Sequence, residues 1–147
     1  MTIPPKITII YASRKGKTKL MAEAIAEGAT SVPGINILIK DIFYAVPEDV
    51  KDADAILIGG SPQSQAPPRS LSFLEDLGKQ DLKDKVGITF GPCGPGGESG
   101  PLRRKMESVG LNIVEPSEDL GMASKEKAIE ACFMLGRSVA QGIKDWS

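Results

Sequence analysis

Three segments of this 147-residue sequence gather the residue types that bind anions and planar ligands. The first, Ala12-Ser13-Arg14-Lys15-Gly16-Lys17-Thr18, combines hydroxyls, three cations and a glycine. Where such a segment turns a strand into a helix, backbone N–H groups and the helix N-terminus make an anion site of the kind phosphates use. By itself it reads equally as an ordinary turn with Thr18 capping the helix. The second, Gly59-Gly60-Ser61-Pro62-Gln63-Ser64-Gln65-Ala66-Pro67-Pro68, offers hydroxyls, amides and backbone groups to the edge of a heterocycle. Alone, it is also a solvated loop stiffened by prolines. The third, Gly91-Pro92-Cys93-Gly94-Pro95-Gly96-Gly97-Glu98, has four glycines in eight positions, which lets a backbone approach a ligand closely. A flexible surface loop has the same composition.

Other chemistries are excluded by what the chain lacks. Gly16-Lys17-Thr18 imitates the end of a nucleotide-binding P-loop, but Tyr11 stands where that motif needs its first glycine. There is no histidine, so histidine triads and histidine zinc sites are ruled out, and Cys93 has no imidazole to activate it. Cys93 and Cys132 are the only cysteines and suggest neither a metal cluster nor a disulfide framework. We therefore assign no catalytic side chain and no metal ligand. Formal net charge is -1, from 18 basic and 19 acidic side chains, which gives no reason to expect nucleic-acid or membrane-surface binding. The balance hides an asymmetry: residues 1–40 carry six basic and two acidic side chains. Met1-Thr2-Ile3-Pro4-Pro5 has neither the basic start nor the apolar run of a signal peptide, and no stretch approaches the roughly 18 apolar residues of a membrane span. A cytoplasmic location is the expectation.

The elements that must position these segments alternate. Ile7–Tyr11, Ile35–Ile39, Ala55–Ile58, Val86–Phe90 and Leu111–Val114 read as short, apolar strands. Helices are expected from Lys17 to about Thr30, with Leu20, Met21, Ala24, Ile25 and Gly28 on one apolar face, and for one turn at Pro47–Lys51. Further helices are expected at Pro67–Leu77, at Leu102–Val109, and from a Ser124 cap to about Lys144, with Ala128, Cys132, Leu135 and Val139 inward. Strands alternating with helices at this spacing predict an α/β fold: one domain over 1–147, a doubly wound five-stranded parallel sheet in the order 2-1-3-4-5. Right-handed crossovers then put a switch point between strands 1 and 3, and ligands bind beyond the carboxyl ends of the strands. All three unusual segments begin there.

With the segments in this order, the sequence resembles the flavodoxin family, in particular its short-chain members and the flavodoxin domains of larger flavoproteins. Ser13, Gly16 and Thr18 match the family's phosphate loop, and the helix Met21-Ala22-Glu23-Ala24-Ile25-Ala26-Glu27-Gly28 follows it. Gly60-Ser61-Pro62 with Phe73-Leu74-Glu75-Asp76-Leu77 is similar to the second flavin loop and its helix. Phe90-Gly91, Gly94 and Gly96-Gly97-Glu98 are similar to the third. The resemblance implies an FMN lying across the switch point. Ser13, Arg14, Lys15, Gly16, Lys17 and Thr18 would hold its phosphate. Ser61, Pro62, Gln63, Ser64 and Gln65 on one side, and Gly91, Pro92, Cys93, Gly94, Pro95, Gly96 and Gly97 on the other, would grip the ring.

It implies also a low-potential electron carrier rather than an enzyme, a monomer or weak homodimer working between redox proteins such as ferredoxin-type or reductase donors. The chain departs from the family in three ways. Its phosphate loop is basic, its net charge is close to zero, and the flavin loops carry Gln63, Ser64, Cys93 and Pro95 where family members usually stack aromatic rings. Room above the flavin keeps open a second reading, an FMN-dependent NAD(P)H:quinone-type reductase. A receiver domain of the same fold would need acidic residues after strands 1 and 3, where this chain has Ala12-Ser13 and Gly59-Gly60.

Overall fold

A computed structural model describes residues 4–12, 16–60, 75–79, 82, 84–91, 94–95, 100–114 and 124–146. The apolar runs form the strands β1 (Lys6–Tyr11), β2 (Asn36–Asp41), β3 (Ala55–Gly59) and β4 (Val86–Gly91), followed by two-residue strands β5 (Gly94–Pro95) and β6 (Asn112–Ile113). The helices are α1 (Lys17–Thr30), α2 (Glu48–Lys51), α3 (Gly100–Ser108) and α4 (Lys125–Trp146). Five strands are parallel and lie in the order β2-β1-β3-β4-β6, which is the expected 2-1-3-4-5. β5 is an antiparallel addition that pairs with the last two residues of β4. The fifth strand is shorter than the expected Leu111–Val114. Backbone bonds from Asn112 to Lys85 (3.0 Å) and from Val114 to Gly87 (3.0 Å) nonetheless hold that span along β4.

The sheet is buried on both sides, as parallel strands of continuous hydrophobicity require. Ile7, Ile9, Leu57, Ile88 and Phe90 face α1 and α4 in one cluster. Ile10, Ile56 and Ile58 face the other way, toward Val50, Leu77 and Met106. Burial of α1 follows Thr18, Met21, Ala22, Ile25, Gly28 and Ala29. Leu20 corrects the expected apolar face: it lies off that stripe, on the first exposed turn, and is 39% exposed. In α4, Ala128 and Cys132 are buried, and Leu135 and Val139 pack half-buried against the same cluster, as expected. Ser124 caps this helix, its hydroxyl accepting from the Lys127 N–H at 3.3 Å. Of the helix expected over 67–77, residues 75–77 are described and helical, and the remainder lies outside the described residues.

Candidate functional site

The carboxyl edge of the sheet ends in a single lateral row, Asp41, Tyr11, Gly59, Phe90 and Pro95, each residue in register with the next. Hydrogen bonds carry the ladder one step beyond the strands. Ile42 N–H donates to the Tyr11 carbonyl (2.9 Å), Ala12 N–H to that of Gly59 (2.9 Å), and Gly60 N–H to that of Phe90 (3.3 Å). The roots of the three chemistry-bearing segments are thereby fixed side by side. From β1 to β4 is two strand spacings, about 10 Å.

The first segment enters α1 through Gly16, whose φ of 85° lies in the left-handed region that glycine adopts without strain. Among the described residues no side chain caps α1, and its first turn has no acidic residue. Thr18 is therefore not the cap that an ordinary turn would make of it. It is the second residue of the helix and is buried, while Lys17 is exposed. The N–H groups of a first helical turn have no carbonyl one turn earlier to bond. Together with the helix dipole and Lys17 they form a donor set suited to an anion. A Cβ built at Gly16 would meet nothing within 4 Å among the described residues.

The third segment does not leave the sheet as an open loop. Gly94 pairs back onto Gly91, and Pro95 onto Phe90, in antiparallel fashion. Of the eighteen residues assigned to cofactor binding, Gly16, Lys17, Thr18, Gly91, Gly94 and Pro95 are described, all on this edge. Ser13, Arg14, Lys15, Ser61, Pro62, Gln63, Ser64, Gln65, Pro92, Cys93, Gly96 and Gly97 lie outside the described residues.

The sequence reading overlooked two features of the edge. Phe90 is fully buried and its ring lies against Gly59, where any Cβ would run into it. The turn after β2 displays Phe43 and Tyr44, 68% and 75% exposed. That turn is held firmly: the Asp41 carboxylate accepts from Phe43 N–H (2.9 Å), and Asp49 accepts from Val46 N–H (2.9 Å) and pairs with Lys40 (3.0 Å). Strand register is the signal that would have located both, since it puts Phe90 opposite Gly59 and Asp41 opposite Tyr11.

The architecture defines a flavodoxin-like α/β domain. The structure of a flavodoxin from Streptococcus pneumoniae TIGR4 superposes with a TM-score of 0.74 at 19% identity, covering 93% of this chain and 99% of that one. No family model matches the sequence. A flavodoxin of Aquifex aeolicus is 44% identical over 86 residues, 58% of this chain and 43% of that protein. The chain is thus flavodoxin-like in sequence as well as in fold, which bears out the resemblance read from its loops.

The coenzyme F420H(2) oxidase of Methanothermobacter thermautotrophicus is 28% identical over 151 aligned residues, 97% of this chain and 37% of the relative. The matched stretch spans less than half the length of either curated relative. The oxidase corrects the expectation of a carrier that is not an enzyme, because a relative matched along nearly the whole chain is an enzyme by name. The physical reason for the error is plain. The expectation was taken from the resemblance to free-standing electron carriers, but a redox domain needs no catalytic side chain of its own to serve an enzyme when a cofactor carries the chemistry. Among the described residues no helix is long and apolar enough to cross a membrane.

Proposed function

We propose that this chain is an FMN-binding electron-transfer domain that works as the flavin module of an oxidase-type enzyme, accepting electrons from a small reduced coenzyme or a redox protein. The carrying observation is the convergence of three loop roots on the β1/β3 switch point beside a helix N-terminus that enters through Gly16 and carries the exposed Lys17. Likeness to a flavodoxin and to an F420H(2) oxidase supports the same reading.

The residues present fit FMN. The first turn of α1, with Gly16, Lys17 and Thr18, supplies donors and positive charge for a phosphate. The backbone at Gly60, Gly91 and Gly94 supplies close approach for a flat ring. Bound there, FMN supplies the conversion between two-electron and one-electron transfer. The chain's own work is to orient the ring across the ends of β3 and β4, to hold the phosphate over β1, and to set the electrostatic field. A reducing cytoplasm suits a chain whose Cys132 is a buried free thiol.

Purified protein should be yellow, with FMN in its acid extract at one per chain. Under air, the reconstituted protein mixed with reduced coenzyme F420, the substrate named for the oxidase relative, should show flavin reduction faster than with NADH or NADPH. A colourless protein that takes up no FMN overturns the flavin reading. A flavin reduced fastest by NADPH with a quinone as acceptor would replace the oxidase role with a quinone-type reductase.

A further inference from the structure

The last row of the sheet has a glycine at its centre, flanked by two aromatic residues: Tyr11 on β1 and Phe90 on β4. A side chain at position 59 would point toward α1 and α4, on the same face as its neighbours Tyr11 and Phe90. The Phe90 ring takes that place instead. Its Cδ2, Cε2 and Cζ atoms occupy the region a Gly59 Cβ would need. The ring leaves β4 and lies over Gly59 on β3. It is fully buried, in one core cluster with Met21 and Ala22 from the first turns of α1, and α1 lies against β4. One residue further along the chain, Gly91 begins the third segment, and Gly60 is bonded to the Phe90 carbonyl. A single side chain thus touches the floor of one segment's root, shares its packing with the helix that follows another, and is covalently next to the third.

We propose that Phe90, seated on Gly59, is a positioning residue that couples the anion site at the start of α1 to the loop leaving Gly91, so that recognition of the phosphate and recognition of the flavin ring reinforce one another. This rests on the FMN reading above. Close-packed interiors transmit displacement rather than absorb it, so a shift of the first turn of α1 on seating an anion is passed through the ring to Gly91. Coupling between two sites is reciprocal and typically amounts to about 5- to 150-fold in affinity. The riboflavin affinity contains only the ring's share, and the FMN affinity contains both shares and their coupling. The ratio of the two therefore holds the phosphate's own share and the coupling. In a variant at Phe90, which lies outside the anion site, a change in that ratio reports the coupling, whereas a merely structural loss lowers both affinities together.

The experiment measures dissociation constants for FMN and riboflavin, and melting temperatures, in the apoprotein and in Phe90→Leu, Gly59→Ala and the double variant. Phe90→Leu should bind both flavins more weakly, with the preference for FMN reduced at least about fivefold. Gly59→Ala should melt far lower because its Cβ meets the ring. The double variant, in which the smaller leucine makes room, should recover melting temperature while the preference for FMN stays reduced. A preference within about twofold of wild type in both Phe90→Leu and the double variant would overturn the positioning role, since it lies below the usual range of coupling. Wild-type protein that binds neither flavin would instead overturn the FMN reading, so the two failures are told apart.

Discussion

Replacing Lys15 and Lys17 by glutamine removes two of the three cations of the first segment, and its effect separates phosphate recognition from ring recognition. Lys17 is exposed at the start of α1, so its charge contributes about 0.5–1 kcal/mol at low salt. FMN affinity should fall several-fold and depend less on salt, while riboflavin affinity, measured by fluorescence titration, stays unchanged. Equal losses for both flavins would remove the phosphate from this loop. Cys132 gives a prediction of a different kind. Burial pushes its thiol from 9.0 up to about 12, because the charged form is denied water. A group whose folded-state pKa is raised contributes stability that is whole below the unfolded value and is lost as pH climbs from about 9 toward 12. Melting temperature should decline over that window less steeply in Cys132→Ala, which itself costs about 1–2 kcal/mol at neutral pH. In a Cys93→Ser background, Cys132 should resist thiol reagents until the protein unfolds. At this scale residue type marked the three loops as candidates, but nothing marked Phe90. Its role depends on the ring crossing to a neighbouring strand, and nothing local in Thr89-Phe90-Gly91 records that.

The strands and long helices were legible because their hydrophobic periods are unambiguous. Lys17–Thr30 came out at its observed bounds, and the final helix reached Trp146, two residues past the expected end. The edges of the reading were weaker for physical reasons. Leu20 was placed inside because its residue type is apolar, but the stripe is set by helical spacing from Met21 and Ile25, which leaves it at the surface. The pairing of Gly94–Pro95 back onto β4 has no propensity signature at all, since glycine and proline are poor strand formers. Small residues also fix how α1 meets α4. A Cβ at Gly28 would collide with the Phe133 carbonyl, and one at Gly136 with the Ile25 carbonyl, so the two helices touch backbone to backbone. Gly28→Ala and Gly136→Ala each insert a methyl where no atom can move aside cheaply. Each should destabilise by roughly 3 kcal/mol, at the upper end for overpacking, despite alanine's better helix propensity. Urea denaturation checks this, and a stabilising Gly28→Ala would mean the helices separate freely.

For the molecule as a whole, a formal charge of -1 makes long-range steering weak. Reduction of the FMN-loaded protein by a ferredoxin-type donor should change less than about threefold between low and physiological salt in stopped-flow measurements. A steep fall would reveal a concentrated charged docking face. On the proposed FMN reading, the more negative of the two one-electron couples should also lie less negative than in flavodoxins with two stacked aromatics, because Gln63, Ser64, Cys93 and Pro95 in place of those rings would disfavour added negative charge less. One uncancelled cation about 10 Å away adds roughly 1.7 kcal/mol at an effective dielectric of about 20, equivalent to about 70 mV. Spectroelectrochemical titration reads it directly. The likeness to an oxidase was not legible at this scale, since the matched stretch is 37% of that protein. The strand order has one more consequence, for synthesis on the ribosome. β1 is made first yet sits between β2 and β3, so it gains both neighbours only once the chain has been made through Gly59. Its Ile7 and Ile9 face α4, which follows every strand in the sequence and reaches that face with Ala128, Cys132, Ala140 and Ile143. The part of that apolar side which α4 covers, beside α1, therefore stays open until translation has passed those residues, and over that interval the nascent chain is a natural client for chaperones that bind exposed apolar strands.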